Sequence, residues 1–194
     1  MRGFQNLNLD LLERPELAEV LLDRLTAIAE QNASTLAAAG VDVLVLDDDV
    51  GMPGGMIISP YLWRAYLRPR LARVIARARS VAPEVKVLYH SDGDIRPIIA
   101  DLVAVGVDAI NPVQPDRMDP LAIRRRHGLR PALWGTVGSH AAFAYGTPGA
   151  IRREVRQRVR DLGRAGLVLC PAYDVDELGI PWENVRAFLE AADE

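Results

Sequence analysis

The feature that most restricts the fold is a junction that occurs three times. Ala39-Gly40-Val41, Val105-Gly106-Val107 and Ala165-Gly166-Leu167 each stand between an amphipathic stretch and a short apolar run. A glycine after a helix supplies a left-handed turn that a Cβ would strain, so a strand can begin at once. A helix handing over directly to a buried strand is the repeating unit of parallel α/β folds. The strands agree with this. Val41 to Leu46, Val85 to Tyr89, Val107 to Asn111, Pro131 to Trp134 and Leu167 to Cys170 are near-continuous apolar runs, as expected of strands covered on both faces.

The intervening stretches have helical periodicity. Pro15 to Ala39 carries Leu17, Leu21, Leu25 and Ile28 at helical spacing. Ser59-Pro60, Asp119-Pro120 and Thr147-Pro148 each pair a capping side chain with a proline suited to the first turn. They predict helices that carry Leu67, Leu71 and Val74, that run through Arg126, and that run through Arg164 to close at Gly166. Ile95 to Val105 and Pro181 to about Ala191 read as two more. Five strands in 194 residues suit an open, doubly wound five-stranded sheet better than an eight-stranded barrel, which typically takes about 250.

Composition excludes several classes. The net charge is −3, which gives no electrostatic reason to expect nucleic acid. The one locally basic run, Arg124-Arg125-Arg126-His127, reads as a solvated helix end, where cations are favoured. No apolar run approaches the ~18 residues of a membrane span, and the N-terminus lacks the apolar core of a signal peptide. The single cysteine, Cys170, rules out an internal disulfide and a four-cysteine zinc site. The expectation is one cytoplasmic domain over residues 1–194.

In parallel α/β folds the ligand lies at the C-terminal ends of the strands. There stand Asp47, Asp48 and Asp49, then His90-Ser91-Asp92-Gly93-Asp94, then Asn111 and Gln114, then Trp134, Ser139 and His140, then Cys170, Tyr173, Asp174 and Asp176. Acids with one imidazole can move protons or bind a divalent metal; acids also cap helices. His90 with Asp92, directly after a buried strand, is the functional pair the sequence singles out. Gly51-Met52-Pro53-Gly54-Gly55 matches no phosphate-binding fingerprint and reads as a flexible loop. His140 reads as surface and Cys170 as a small buried residue.

As a set, these segments resemble the uroporphyrinogen decarboxylase superfamily. The resemblance rests on Asp48-Asp49-Val50-Gly51-Met52, Ile58-Ser59-Pro60, Trp63-Arg64, Pro69-Arg70 and the block from His90 to Ile99. It continues through Gly106-Val107-Asp108, Asn111-Pro112-Val113-Gln114-Pro115, Met118-Asp119-Pro120, Trp134-Gly135-Thr136-Val137-Gly138, Gly146-Thr147-Pro148 and Pro181 to Val185. It covers nearly the whole chain and overturns the open sheet. It implies a partial (β/α)₈ barrel of about five βα units from the C-terminal side, without the N-terminal strands. It further implies an enzyme acting on a tetrapyrrole, as in porphyrin biosynthesis, or on a corrinoid-linked substrate. The chemistry would be a lyase's decarboxylation or metal-assisted methyl transfer. By this resemblance His90, Asp92 and Tyr173 are catalytic, and Asp48, Asp49, Asn111, Gln114 and Trp134 bind substrate. His90 and Asp92 are the expected ligands for zinc or another divalent metal. The family's thiolate zinc ligands are not matched, since Asp92 replaces a cysteine and Tyr173 stands near the other. Expected partners are the substrate and either a second copy or a separate N-terminal half-barrel. The alternative is a non-catalytic interaction module or an inactive truncated barrel.

Overall fold

A computed structural model describes residues 2–138, 140–175 and 179–194, apart from the side chains of residues 140 and 141. The expectations for Ser139, Asp176 and the His140 side chain lie outside the described residues. Two helices come first, α1 (Phe4–Glu13) and α2 (Pro15–Ala38). The sequence reading did not anticipate α1. Then follow β1 (Val43–Asp47), the short β2 (Gly51–Met52) and β3 (Gly55–Met56), α3 (Pro60–Leu62), a π-helical turn (Trp63–Leu67), α4 (Arg68–Val81) and β4 (Lys86–His90). The second half holds α5 (Ile99–Val105), β5 (Ala109–Val113), α6 (Pro120–His127), β6 (Ala132–Val137), α7 (His140–Tyr145), α8 (Pro148–Leu162), β7 (Leu167–Pro171) and α9 (Trp182–Ala192).

The expected caps form. The Ser59 hydroxyl accepts from the Leu62 N–H at 3.2 Å, the Asp119 carboxylate from Leu121 at 2.9 Å, and Thr147 from Ala150 at 3.3 Å. The π turn precedes Pro69. The proline ring crowds the carbonyl four residues back, and the widened turn lets the Arg68 N–H reach the Trp63 carbonyl instead. Gly106 closes α5 with φ 106°, as read. The last junction differs from the reading. α8 stops at Leu162 with Gly163 at φ 73°, and Gly166, at φ 65°, leads into β7. β5 runs on through Pro112 by means of a register shift between Ile110 and Val113.

Five strands form one parallel sheet in the order β1-β4-β5-β6-β7. Apart from the small β2–β3 hairpin, that is chain order. A doubly wound sheet reverses its order at a switch point, and none occurs here. Successive right-handed crossovers in one direction place every helix on the same face. The architecture is therefore five consecutive βα units of a barrel wall.

Among the described residues the helices pack against one face of the sheet. Leu44 packs with Ala33 and Ala37 of α2 and with Val74 and Ala78 of α4. Val87, Tyr89 and Ile110 join Trp63, Ile75, Ile99 and Leu102 in the main core, all of them almost fully buried. Val137, Phe143, Ile151, Val155 and Phe188 close the far end. The register puts Val45 beside Leu88 and Asp47 beside His90, so these side chains point to the other, concave face. There Val45 is 55% exposed. Among the described residues β1 pairs only with β4, and β7 only with β6.

Candidate functional site

Strand alternation decides which acids reach the site. Side chains two apart share a face, so Asp47 follows Val43 and Val45 onto the concave side, level with His90. Asp49 comes back toward His90 after one further pair of residues. Asp47, Asp49 and His90 offer ligand atoms that all lie within 4.8 Å of one another, and they form the one such group among the described residues. His90 Nε2 stands 4.0 Å from Asp49 Oδ1. That oxygen accepts the Asp92 backbone N–H at 2.8 Å, which fixes the carboxylate.

The loop after β4 is clamped from below. The fully buried Ser91 hydroxyl accepts the N–H groups of Val50 and Gly51, both at 3.1 Å, and donates to the Asp92 carbonyl at 3.0 Å. The segment Gly51 to Gly55 is no loose loop. It is the antiparallel hairpin β2–β3, pressed onto this turn, with the Asp94 N–H donating to the Met52 carbonyl at 3.1 Å. A Cβ on Gly51 would overlap the Asp92 carbonyl, and one on Gly93, at φ 78°, would overlap the Met52 backbone. The two glycines permit the close approach that sets Asp49 beside the His90–Asp92 turn.

Asn111 stands beside His90 in the β4–β5 register, and His90 Nδ1 lies 2.8 Å from Asn111 Oδ1. Gln114 is buried; its Nε2 donates to Asp92 Oδ1 at 2.8 Å and its Oε1 accepts the Gly93 N–H at 2.9 Å. Gln114 thus holds the turn and Asp92 together. Asp92 lies outside the three-residue ligand group and faces a cavity of about 340 Å³ lined by His90, Asn111, Cys170, Tyr173 and Asp174, among others. The Tyr173 hydroxyl donates to Asp116 Oδ1 at 2.7 Å, and desolvation followed by that carboxylate pushes its phenol up to about 12. Trp134 is half-buried on β6, and burial pushes the neighbouring Cys170 thiol up against a lowering influence from Trp134. Asp116 was not legible as a partner of Tyr173, because 57 residues separate them. Asp47 was visible in the acid run, and its two-residue spacing from Asp49 was the signal that pairs them.

The crowded carboxylates perturb one another. Asp48 keeps a solvent-facing surface, yet protein atoms crowd it from most sides. This desolvation, followed by the charges of Asp47 and Asp49, pushes its carboxyl up to about 6. Desolvation and then the Asp49 charge also raise Asp92, against a lowering influence from His90. Asp94 behaves oppositely, because Arg96 is bonded to both its oxygens at 2.9 and 2.6 Å and lowers it. A larger groove, about 470 Å³, lies between α2 and the open edge of β1. Apart from Asp47, Asp48 and Arg70 its wall is mostly apolar, so the strand-end cavity is the better candidate for chemistry.

Fold and site together define a parallel βα part-barrel protein with acids and an imidazole gathered at the carboxyl ends of its strands. Within that class the sequence is specific: the uroporphyrinogen decarboxylase (URO-D) family model matches residues 1–194, and the chain belongs to that family. A solved methyltransferase from Methanosarcina mazei is similar in fold, with a TM-score of 0.78 and 24% identity. The match covers 97% of this chain and 52% of that one, so the chain spans about half the length of this relative. No curated protein matches the sequence. No helix among the described residues is long and apolar enough to cross a membrane.

Proposed function

We propose that this chain carries the strand-end chemistry of an enzyme that performs metal-assisted methyl transfer on a corrinoid-linked or tetrapyrrole substrate. The observation that carries the reading is the convergence of Asp47, Asp49 and His90. Two carboxylates and an imidazole fit zinc or another borderline-to-hard divalent ion better than a thiolate-seeking one. Three acceptor groups held together, with no arginine or lysine paired to either carboxylate among the described residues, also suit a positive guest. Such an ion would supply Lewis acidity to a substrate sulfur or oxygen.

The chain's own residues have separable roles. His90, Asp47 and Asp49 hold the ion, and the Asp92 N–H orients Asp49. Asp92, whose carboxyl is raised, holds or relays a proton at the mouth of the cavity, and Gln114 orients it. Asn111, Trp134 and Tyr173 shape the space for substrate beside them, with Asp48 at its acidic rim. The methyltransferase of like fold supports methyl transfer over decarboxylation. Equilibrium dialysis against Zn²⁺ and Mn²⁺ tests the reading. About one ion per chain is expected, weakened more than about tenfold in Asp47→Asn, Asp49→Asn and His90→Ala. Equal binding by all three variants sinks it.

One observation favours a second reading, a non-catalytic interaction module. The concave face exposes Val45, and the two outer strands each have a single described partner. Open parallel edges and exposed apolar faces invite association. A second copy or a polypeptide supplying the remaining barrel strands would cover them. Light scattering at tens of micromolar (on the order of a working concentration) distinguishes the cases, and a well-behaved monomer counts against association.

A further inference from the structure

We infer that Asn111 is a positioning residue that fixes the tautomer of His90, so that Nε2 is left as a bare acceptor facing Asp47 and Asp49. The inference rests on the proposed metal-site reading for its consequence, but its geometry stands alone. Asn111 and His90 are register partners on neighbouring parallel strands. The backbone under both is pinned, because the Ser91 N–H donates to the Asn111 carbonyl at 2.9 Å and the Asp48 N–H to the His90 carbonyl at 3.1 Å. The contact between them is His90 Nδ1 to Asn111 Oδ1, at 2.8 Å. An amide oxygen carries no proton, so Nδ1 must be the donor. A neutral ring then has its lone pair on Nε2. That nitrogen is 4.0 Å from Asp49 Oδ1, too far for a hydrogen bond and close enough to share a guest.

The consequence is chemical. With the ring proton on Nδ1, donated to Asn111 Oδ1, His90 meets the carboxylates as a third lone-pair donor and not as a hydrogen-bond donor. Second-sphere partners of this kind set ring orientation and basicity, and their loss typically costs about 10–100-fold in metal affinity. The opposite arrangement, with the Asn111 amide donating to an unprotonated Nδ1, would put the His90 proton on Nε2, toward the carboxylates.

The test is ¹⁵N NMR of the imidazole rings in the full chain, recorded near pH 8.5, about two units above the ordinary histidine pKa. The chain has three histidines, and the His90 signals are those missing from His90→Gln. Protonated Nδ1 and bare Nε2 are expected in the wild type, kept in Asn111→Asp and lost or mixed in Asn111→Ala. Zn²⁺ affinity should fall about 10–100-fold in Asn111→Ala and recover in Asn111→Asp. A wild-type ring protonated on Nε2, or a spectrum unchanged in Asn111→Ala, overturns the inference. If Zn²⁺ fails to bind while Nδ1 carries the proton, the metal reading falls and the positioning role stands. Should Asn111→Ala not fold, the wild-type and Asn111→Asp spectra decide alone.

Discussion

Ser91→Ala should be far more damaging than the loss of one hydroxyl suggests. The wild-type oxygen is fully buried and accepts two backbone N–H groups, from Val50 and Gly51, while donating to the Asp92 carbonyl. Alanine removes the oxygen and leaves both donors in place. Val50 and Gly51 are themselves buried, so water cannot readily replace the lost acceptor. Each buried group stranded in this way costs about 1–3 kcal/mol. Some relaxation of the hairpin lowers the sum, so a loss of about 2–4 kcal/mol is expected, or on the order of 10 °C in Tm for a chain of this size. Urea denaturation followed by circular dichroism measures it. Thr26→Ala is the matched control. Its buried hydroxyl only donates, at 2.7 Å, to the Leu22 carbonyl one helical turn back, so no backbone donor is stranded and the loss should stay below about 1 kcal/mol. If Ser91→Ala costs no more than Thr26→Ala, the Ser91 hydroxyl is no clamp. Because the clamp sets Asp49 beside His90, the same variant should also weaken Zn²⁺ binding.

Other consequences follow from the same geometry. Gly93→Ala carries about 1–2 kcal/mol of left-handed strain and adds overlap with the Met52 backbone; a urea midpoint within error of wild type would contradict this. Asp48 titrates near 6 in the folded chain against an ordinary 3.8. Its ionisation therefore opposes folding fully above pH 6, and the penalty disappears as pH falls toward 4. Stability should gain from this group on acidification through that window, and Asp48→Asn should remove the gain, whereas identical pH profiles for the two proteins would refute the assignment. Tyr173→Phe deletes the bond to Asp116 and should lower stability by about 0.5–1.5 kcal/mol while leaving Zn²⁺ affinity unchanged; a loss of metal binding would add Tyr173 to the proposed ligand set of Asp47, Asp49 and His90.

Much of the conspicuous sequence pattern turns out to serve the fold. Trp63 is buried in the main core, and Arg64 reaches across to Asp101 and the Pro97 carbonyl, both at 2.8 Å. Asp108, after the second glycine junction, accepts the Val87 N–H at 2.8 Å and the Arg79 guanidinium at 2.9 Å, which ties α4 to the sheet. Asn184, near the C-terminus, holds the carbonyls of Phe143 and Gly146 at 2.8 and 3.0 Å. Arg64, Asp108 and Asn184 are polar groups that satisfy buried or turning backbone. Sequence motifs report that need as readily as they report chemistry.

Local rules read from the sequence were enough for the helix starts at Pro60, Pro120 and Pro148, the turns at Gly40 and Gly106, and the five apolar strands. These depend on neighbours a few residues apart, where capping bonds and backbone sterics act. They also sufficed to put acids and His90 at strand ends. Strand order lay outside those local rules, because periodicity is the same in a doubly wound sheet and in a barrel wall; the family resemblance pointed to the barrel, and the order β1-β4-β5-β6-β7 bears it out. The pairing of Asp49 with His90, the seating of Gly51–Met56 on the His90–Asp94 turn, and the meeting of Asn111 with His90 were likewise outside local rules. Each joins residues about 20 to 40 positions apart, and parallel register between strands, which no local rule encodes, is what brings their side chains together.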